Sequence, residues 1–196
     1  MPHTFYFITH PDVVASREVP VPQWPLSELG SNRMKAGLRQ PWMSDITAVY
    51  CSTEQKAIDG AEIVANHLTL GYTKIHTLGE NDRSSTGFLP PHEFEAVADE
   101  FFASPSQSVR GWEKAADAQA RIVTAVHAIA DADQSNGSIA IVSHGAVGTL
   151  LYCHLTSQEI SRRRDQPPNG GGNYFAFKLN PNRVFSWWKA IDEIAL

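Results

Sequence analysis

Apolar residues recur along this chain in two rhythms. Short, near-continuous runs rich in aromatic and β-branched residues, Phe5 to Ile8, Ile46 to Cys51 and Ile139 to Val142, alternate with longer stretches whose apolar positions recur every three or four residues. The short runs predict strands buried on both faces, the usual state of central parallel strands. The spaced stretches predict helices from Ser27 toward Pro41, from Ser52 or Thr53 through Leu68, over His92 to Phe102, over Trp112 to Ala130 and over Val147 to Leu155. Thr73 to Leu78 reads as a further short strand. Tyr174 to Leu179 and Arg183 to Trp188 read as a closing hairpin around Asn180-Pro181-Asn182. Three prolines, Pro20, Pro22 and Pro25, make Asp12 to Leu26 an extended surface loop.

Strands alternating with helices predict an α/β three-layer sandwich, a mainly parallel central sheet with helices on both faces. With 196 residues and neither a repeat nor a linker, residues 1–196 read as a single domain. Residues 79–111, irregular and interrupted by Gly87, Pro90 and Pro91, read as a loop or cap over the carboxyl edge of the sheet.

Composition narrows the partners. A hydrophobic fraction of 42% with 19% charged residues is ordinary for a globular chain. The formal net charge of −5 offers no basic face for nucleic acid. The one basic run, Arg162-Arg163-Arg164, is short and reads as a solvated turn. No stretch is long and apolar enough to cross a bilayer, and the N-terminal run is too short for a signal peptide. Cys51 and Cys153 both lie in apolar surroundings and read as buried thiols, so the expectation is a cytoplasmic protein. Its oligomeric state is left open.

The chemistry lies where the strands end. The first run stops at Thr9-His10-Pro11 and the later one at Ser143-His144-Gly145, where small residues open a helix. Two buried strands ending in histidine place both imidazoles at the carboxyl edge of the sheet, where open α/β folds bind ligands. The helix opening at Gly145 adds unpaired amides suited to an anion. Lys56 follows Ser52 near the first turn of the next helix, and Glu80 follows the third short strand. A nucleophilic imidazole, charge-stabilising donors and an acid for the leaving oxygen are what phosphoryl transfer through histidine needs. No histidine pair has zinc-ligand spacing, so no metal or other cofactor is expected.

In this order, Thr9-His10, the Ser52 to Lys56 segment with Gly60-Ala61, Leu78-Gly79-Glu80 and Ser143-His144-Gly145 resemble the histidine phosphatase superfamily, the phosphoglycerate-mutase-like group. The resemblance spans nearly the whole chain, including the long helix before the last motif. It implies the three-layer α/β fold and a phosphatase acting on a small phosphorylated molecule. His10 is then the phosphoryl acceptor, Glu80 the proton donor, and His144 and Lys56 the charge-stabilising partners, with Thr9, Ser52, Arg83 and Gly145 at the substrate. The chain departs from that pattern where an arginine before the nucleophile is Thr9, a second arginine is Lys56, and the glycine after the nucleophile is Pro11. Two planar guanidinium forks have become a hydroxyl and a point charge. Arg83, three residues past Glu80, is the expected substitute, with Arg17 as a second candidate. The rival expectation is a degraded family member that binds an anion or a partner without turnover.

Overall fold

The structure, a computed structural model, describes residues 3–194. Strand β1 (Phe5–Thr9) opens the chain, followed by helix α1 (Glu28–Gly37), strand β2 (Ile46–Cys51), helix α2 (Gln55–Leu68) and the two-residue strand β3 (Thr73–Lys74). Helices α3 (Pro91–Ala103) and α4 (Ala115–Ala132) lead into strand β4 (Ser138–Ser143) and helix α5 (Gly145–Leu155). Strands β5 (Asn173–Lys178), β6 (Arg183–Val184) and β7 (Lys189–Ala190) close the fold. The sheet order is β3-β2-β4-β1-β5-β6, with β7 also on β5. β3, β2, β4 and β1 are parallel, whereas β5 is antiparallel to β1 and to the two short strands.

Alternation along the strands sorts side chains into two cores. Phe5, Phe7, Ile139, Ile141, Phe175 and Phe177 face α3, α4 and α5, while Ile8, Val49, Cys51, Ala140 and Val142 face α1 and α2. The helices therefore form a layer on each face of the sheet. On the α5 side, Phe5 stacks on Phe177 with ring centroids 5.1 Å apart, and Phe7 on Phe175 at 5.5 Å. Cys51 and Cys153 are free and buried, as their surroundings suggest.

Three local readings differ in the folded chain. The predicted strand Thr73 to Leu78 pairs only at Thr73–Lys74, then turns through a 3₁₀ segment, His76–Leu78, that buries Leu78 completely. Helix α2 begins at Gln55, later than the expected Ser52 or Thr53 cap, with Glu54 at the N-cap. The Ser52 hydroxyl does accept the Glu54 amide at 3.1 Å. The second arm of the hairpin pairs only over Arg183–Val184, and the chain leaves the sheet so that Trp188 packs edge-on against Phe175 at 4.7 Å. By contrast, Ser27 caps α1 as expected, its hydroxyl accepting the Gly30 amide at 3.0 Å.

Candidate active site

Strand register brings the two histidines together. Thr9 lies opposite Ser143 in the β1–β4 ladder, and the His10 amide adds one more ladder bond to Ser143 O at 3.0 Å. His10 and His144 therefore emerge side by side, with ring centroids 5.1 Å apart and planes at 69°. A glycine turn closes around the same point: Gly172 donates its amide to His10 O at 3.1 Å. A Cβ on Gly171 (φ +79°) would stand 2.3 Å from that oxygen, so only glycine fits the turn.

His10 is half-buried and lines a cavity of about 370 Å³ with Glu80, Arg83, Gly145 and Gln166. Its Nδ1 lies 2.9 Å from Pro11 O. A carbonyl can only accept, so Nδ1 carries the ring proton and Nε2 keeps its lone pair. Burial lowers the His10 pKa to about 4, aided by the nearby Lys56 charge and opposed by the Pro11 carbonyl and Glu54. The ring is unprotonated at neutral pH, the state a nucleophile needs.

Glu80 sits at the N-terminus of α5. Its carboxylate accepts the Val147 amide at 3.1 Å and the Ala146 amide at 3.3 Å, a favourable place for a negative group. The sequence suggests these amides for a bound anion; in the fold they are occupied by Glu80. Burial raises the Glu80 pKa and the Glu54 charge adds to this, against the pull of Arg83 and the two amides. An acid with an elevated pKa can deliver a proton near neutrality. The backbone that carries Glu80 is held by Arg121 on α4, whose guanidinium donates to the carbonyls of Thr77, Gly79 and Glu80 at 2.9, 2.9 and 3.1 Å and pairs with Glu113 at 2.7 Å.

Behind the cavity wall lies a buried polar layer. His144 is wholly buried, its Nε2 is 2.7 Å from Ser52 Oγ, and its Nδ1 has no partner in the fold. Burial holds its pKa well below the ordinary value, with Glu54 acting in the opposite direction. Lys56 is only 2% exposed, and its Nζ donates to Val21 O at 2.9 Å and forms an ion pair with Glu54. The other Glu54 oxygen accepts the Glu80 amide at 2.8 Å and lies 3.3 Å from His144 Nε2. Burial opposes the Glu54 charge, but the His144 ring beside it, the Lys56 ammonium and the Glu80 amide outweigh it and bring its pKa down to about 2.

The expected site residues thus fall into three groups. His10, Glu80, Arg83 and Gly145 line one cavity, while His144, Ser52 and Lys56 form the layer behind it. Thr9 is wholly buried and its hydroxyl is committed elsewhere, donating to Gln166 Oε1 at 2.7 Å and accepting the Asn173 amide at 3.0 Å. Arg83 lines this cavity and the adjoining one of about 720 Å³, its guanidinium stacked 4.9 Å above Phe94. Arg17 is exposed and stacks on Phe88 at 5.1 Å. Three residues went unassigned in the sequence: Glu54, Asn81 and Gln166. Asn81 is 4% exposed, lines both cavities, and leaves its Nδ2 unpartnered. Gln166 covers Gly145 so closely that a Cβ there would lie 2.5 Å from its Nε2. A polar residue just before a helix, or in a turn-rich loop, carries no periodic signal of burial.

The fold is thus a three-layer α/β sandwich with paired histidines at the carboxyl edge of its sheet, one of them lining a cavity with a half-buried glutamate. The chain belongs to the histidine phosphatase superfamily (branch 1), whose family model matches residues 5–187. Solved structures share the fold. A mycobacterial glucosyl-3-phosphoglycerate phosphatase in complex with inorganic phosphate matches with a TM-score of 0.78 and 16% identity, covering 97% of this chain and 99% of that one. Bacillus stearothermophilus YhfR matches with a TM-score of 0.76 and 20% identity, covering 98% of each chain. A phosphoserine phosphatase from Entamoeba histolytica, in complex with 3-phosphoglyceric acid, matches with a TM-score of 0.72 and 14% identity, covering 93% of this chain and 94% of that one. No curated protein sequence matches the chain.

Proposed function

We propose that this protein is a phosphatase-like hydrolase that acts on a small phosphomonoester through a phosphohistidine at His10. The observation that carries the reading is the His10 ring itself: Nδ1 is anchored on Pro11 O and the free Nε2 belongs to a residue lining the cavity beside Glu80. Nε2 attacks phosphorus, the ester P–O bond breaks, and the leaving oxygen takes the Glu80 proton. Glu80, now a carboxylate, removes a proton from water as the water oxygen attacks the phosphohistidine, releasing phosphate and free His10. The Arg83 guanidinium supplies positive charge to the phosphoryl oxygens from the cavity wall, in place of the arginine that Thr9 replaces. His144 and Lys56 supply donors from the layer behind it.

A second reading, an anion binder without turnover, is favoured by two features. The Thr9 hydroxyl is used up within the fold, and Lys56 is paired with Glu54. Incubation with an aryl phosphate separates the readings. Turnover that His10→Ala abolishes supports the hydrolase; vanadate binding without turnover of any phosphomonoester supports the binder.

A further inference from the structure

Glu54 has no part in the chemistry above, yet it stands at the centre of the donors. One carboxylate oxygen is ion-paired with Lys56 Nζ; the other accepts the Glu80 amide at 2.8 Å and lies 3.3 Å from His144 Nε2. An ammonium, a backbone N–H and an imidazole nitrogen converging on one group of oxygens form an anion-binding cluster, and the anion held there belongs to the protein. Position adds to this. Glu54 lines the larger cavity, which it shares with Glu80 and Arg83, whereas Lys56 lines neither cavity and is almost fully buried. A ligand entering from that cavity therefore meets the Glu54 carboxylate before it meets the lysine. Arriving beside it as a dianion, the ligand meets like charge in a poorly screened place.

We infer that Glu54 is a built-in competitor that holds the phosphoryl-binding donors Lys56 and His144 until a phosphoryl oxyanion displaces it. The inference rests on the reading of the site as a phosphoryl pocket and adds a direction to it: removing this acidic residue strengthens anion binding. Glu54 lowers affinity for free phosphate as well as for substrate, so the wild-type chain releases its product readily. Lys56 becomes available only as the carboxylate swings away, which also frees the Glu80 amide.

Orthovanadate and inorganic phosphate are the probes, titrated calorimetrically into the full chain and into Glu54→Gln. Glutamine keeps the shape of the side chain and hydrogen-bonding oxygen while discarding the charge. The expected result is vanadate binding at least about tenfold tighter in Glu54→Gln than in wild type, equivalent to about 1.4 kcal/mol, with no such gain when the change is made in a Lys56→Met background. Vanadate binding that is equal or weaker in Glu54→Gln, while wild type binds or hydrolyses an aryl phosphate, overturns the inference and leaves the phosphatase reading standing. Absence of both vanadate binding and turnover in wild type and Glu54→Gln overturns the phosphoryl reading itself. Should Glu54→Gln fail to fold, the wild-type Glu80 amide gives the answer by NMR: vanadate saturation shifts its proton upfield as the Glu54 acceptor leaves. An unmoved Glu80 resonance at saturation contradicts the inference.

Discussion

His10 is neutral because burial disfavours its charge, and its Nε2 keeps the lone pair because a carbonyl holds Nδ1. The two half-buried glutamates are pushed in opposite directions, Glu80 up by its enclosure and Glu54 down to about 2 because the His144 ring, the Lys56 ammonium and an amide outweigh desolvation. Carboxyl groups whose environments separate their pKa values divide the work between them. In the proposed chemistry Glu80 exchanges the proton, while Glu54 stays ionised. Glu80→Gln keeps the shape but cannot protonate a leaving group. Its kcat on an alkyl phosphate is expected to fall by about 10²-fold or more, the usual contribution of general acid catalysis. On p-nitrophenyl phosphate, whose leaving group needs little proton assistance, the first chemical step should fall far less, as pre-steady-state release of nitrophenol will show. Equal losses on both substrates count against Glu80 as the acid.

At the scale of elements, the strands deliver the histidines and the loops complete the pocket. The β1–β4 register fixes His10 against His144, and both strands could be read from unbroken apolar runs. The strand-end position of Ser52 was equally legible, whereas Glu80 was read at the end of a strand that in the fold stops at Lys74 and turns through His76–Leu78 before reaching it. Glu54, Asn81 and Gln166 were not legible, since their burial comes from contacts made by distant loops rather than from any local pattern. Lys56 illustrates the limit: its place near the start of α2 was visible, but its near-complete burial and its pairing with Glu54 were not. The loop carrying Glu80 depends on α4 through Arg121, which donates to three carbonyls and pairs with Glu113. Arg121→Met strands those acceptors and is expected to cost about 2 kcal/mol of stability, read as a lower urea midpoint. It should lower kcat on an aryl phosphate more than it raises KM, because it displaces the acid; an unchanged kcat would show that the loop holds Glu80 without it.

Across the whole molecule, the fold keeps two imidazoles uncharged in one place. The His10 pKa is lowered from 6.5 to about 4, and that of His144 lies well below 6.5. The unfolded chain therefore binds protons at these positions over a range where the folded chain does not. Stability rises with pH wherever the unfolded state binds more protons, so these groups lower stability as pH falls from 6.5 toward 4. Replacing His144 by Asn removes one of them. The wild-type urea midpoint is expected to drop over that interval, and the drop should be shallower in His144→Asn. Parallel curves for the two proteins would mean that His144 titrates alike in the folded and unfolded chain. Within residues 3–194 no helix is long and apolar enough to cross a membrane, and the family match spans nearly the full chain.

The claim on which the rest depends is that His10 Nε2 becomes covalently phosphorylated. Rapid alkaline quenching of the full chain during turnover of an aryl phosphate, followed by peptide mass spectrometry, measures this directly. The expected result is an acid-labile phosphoryl group on the peptide containing His10 and nowhere else, absent in His10→Ala. Turnover that proceeds with no such adduct at any quench time, or with the phosphoryl group on a different residue, contradicts the account.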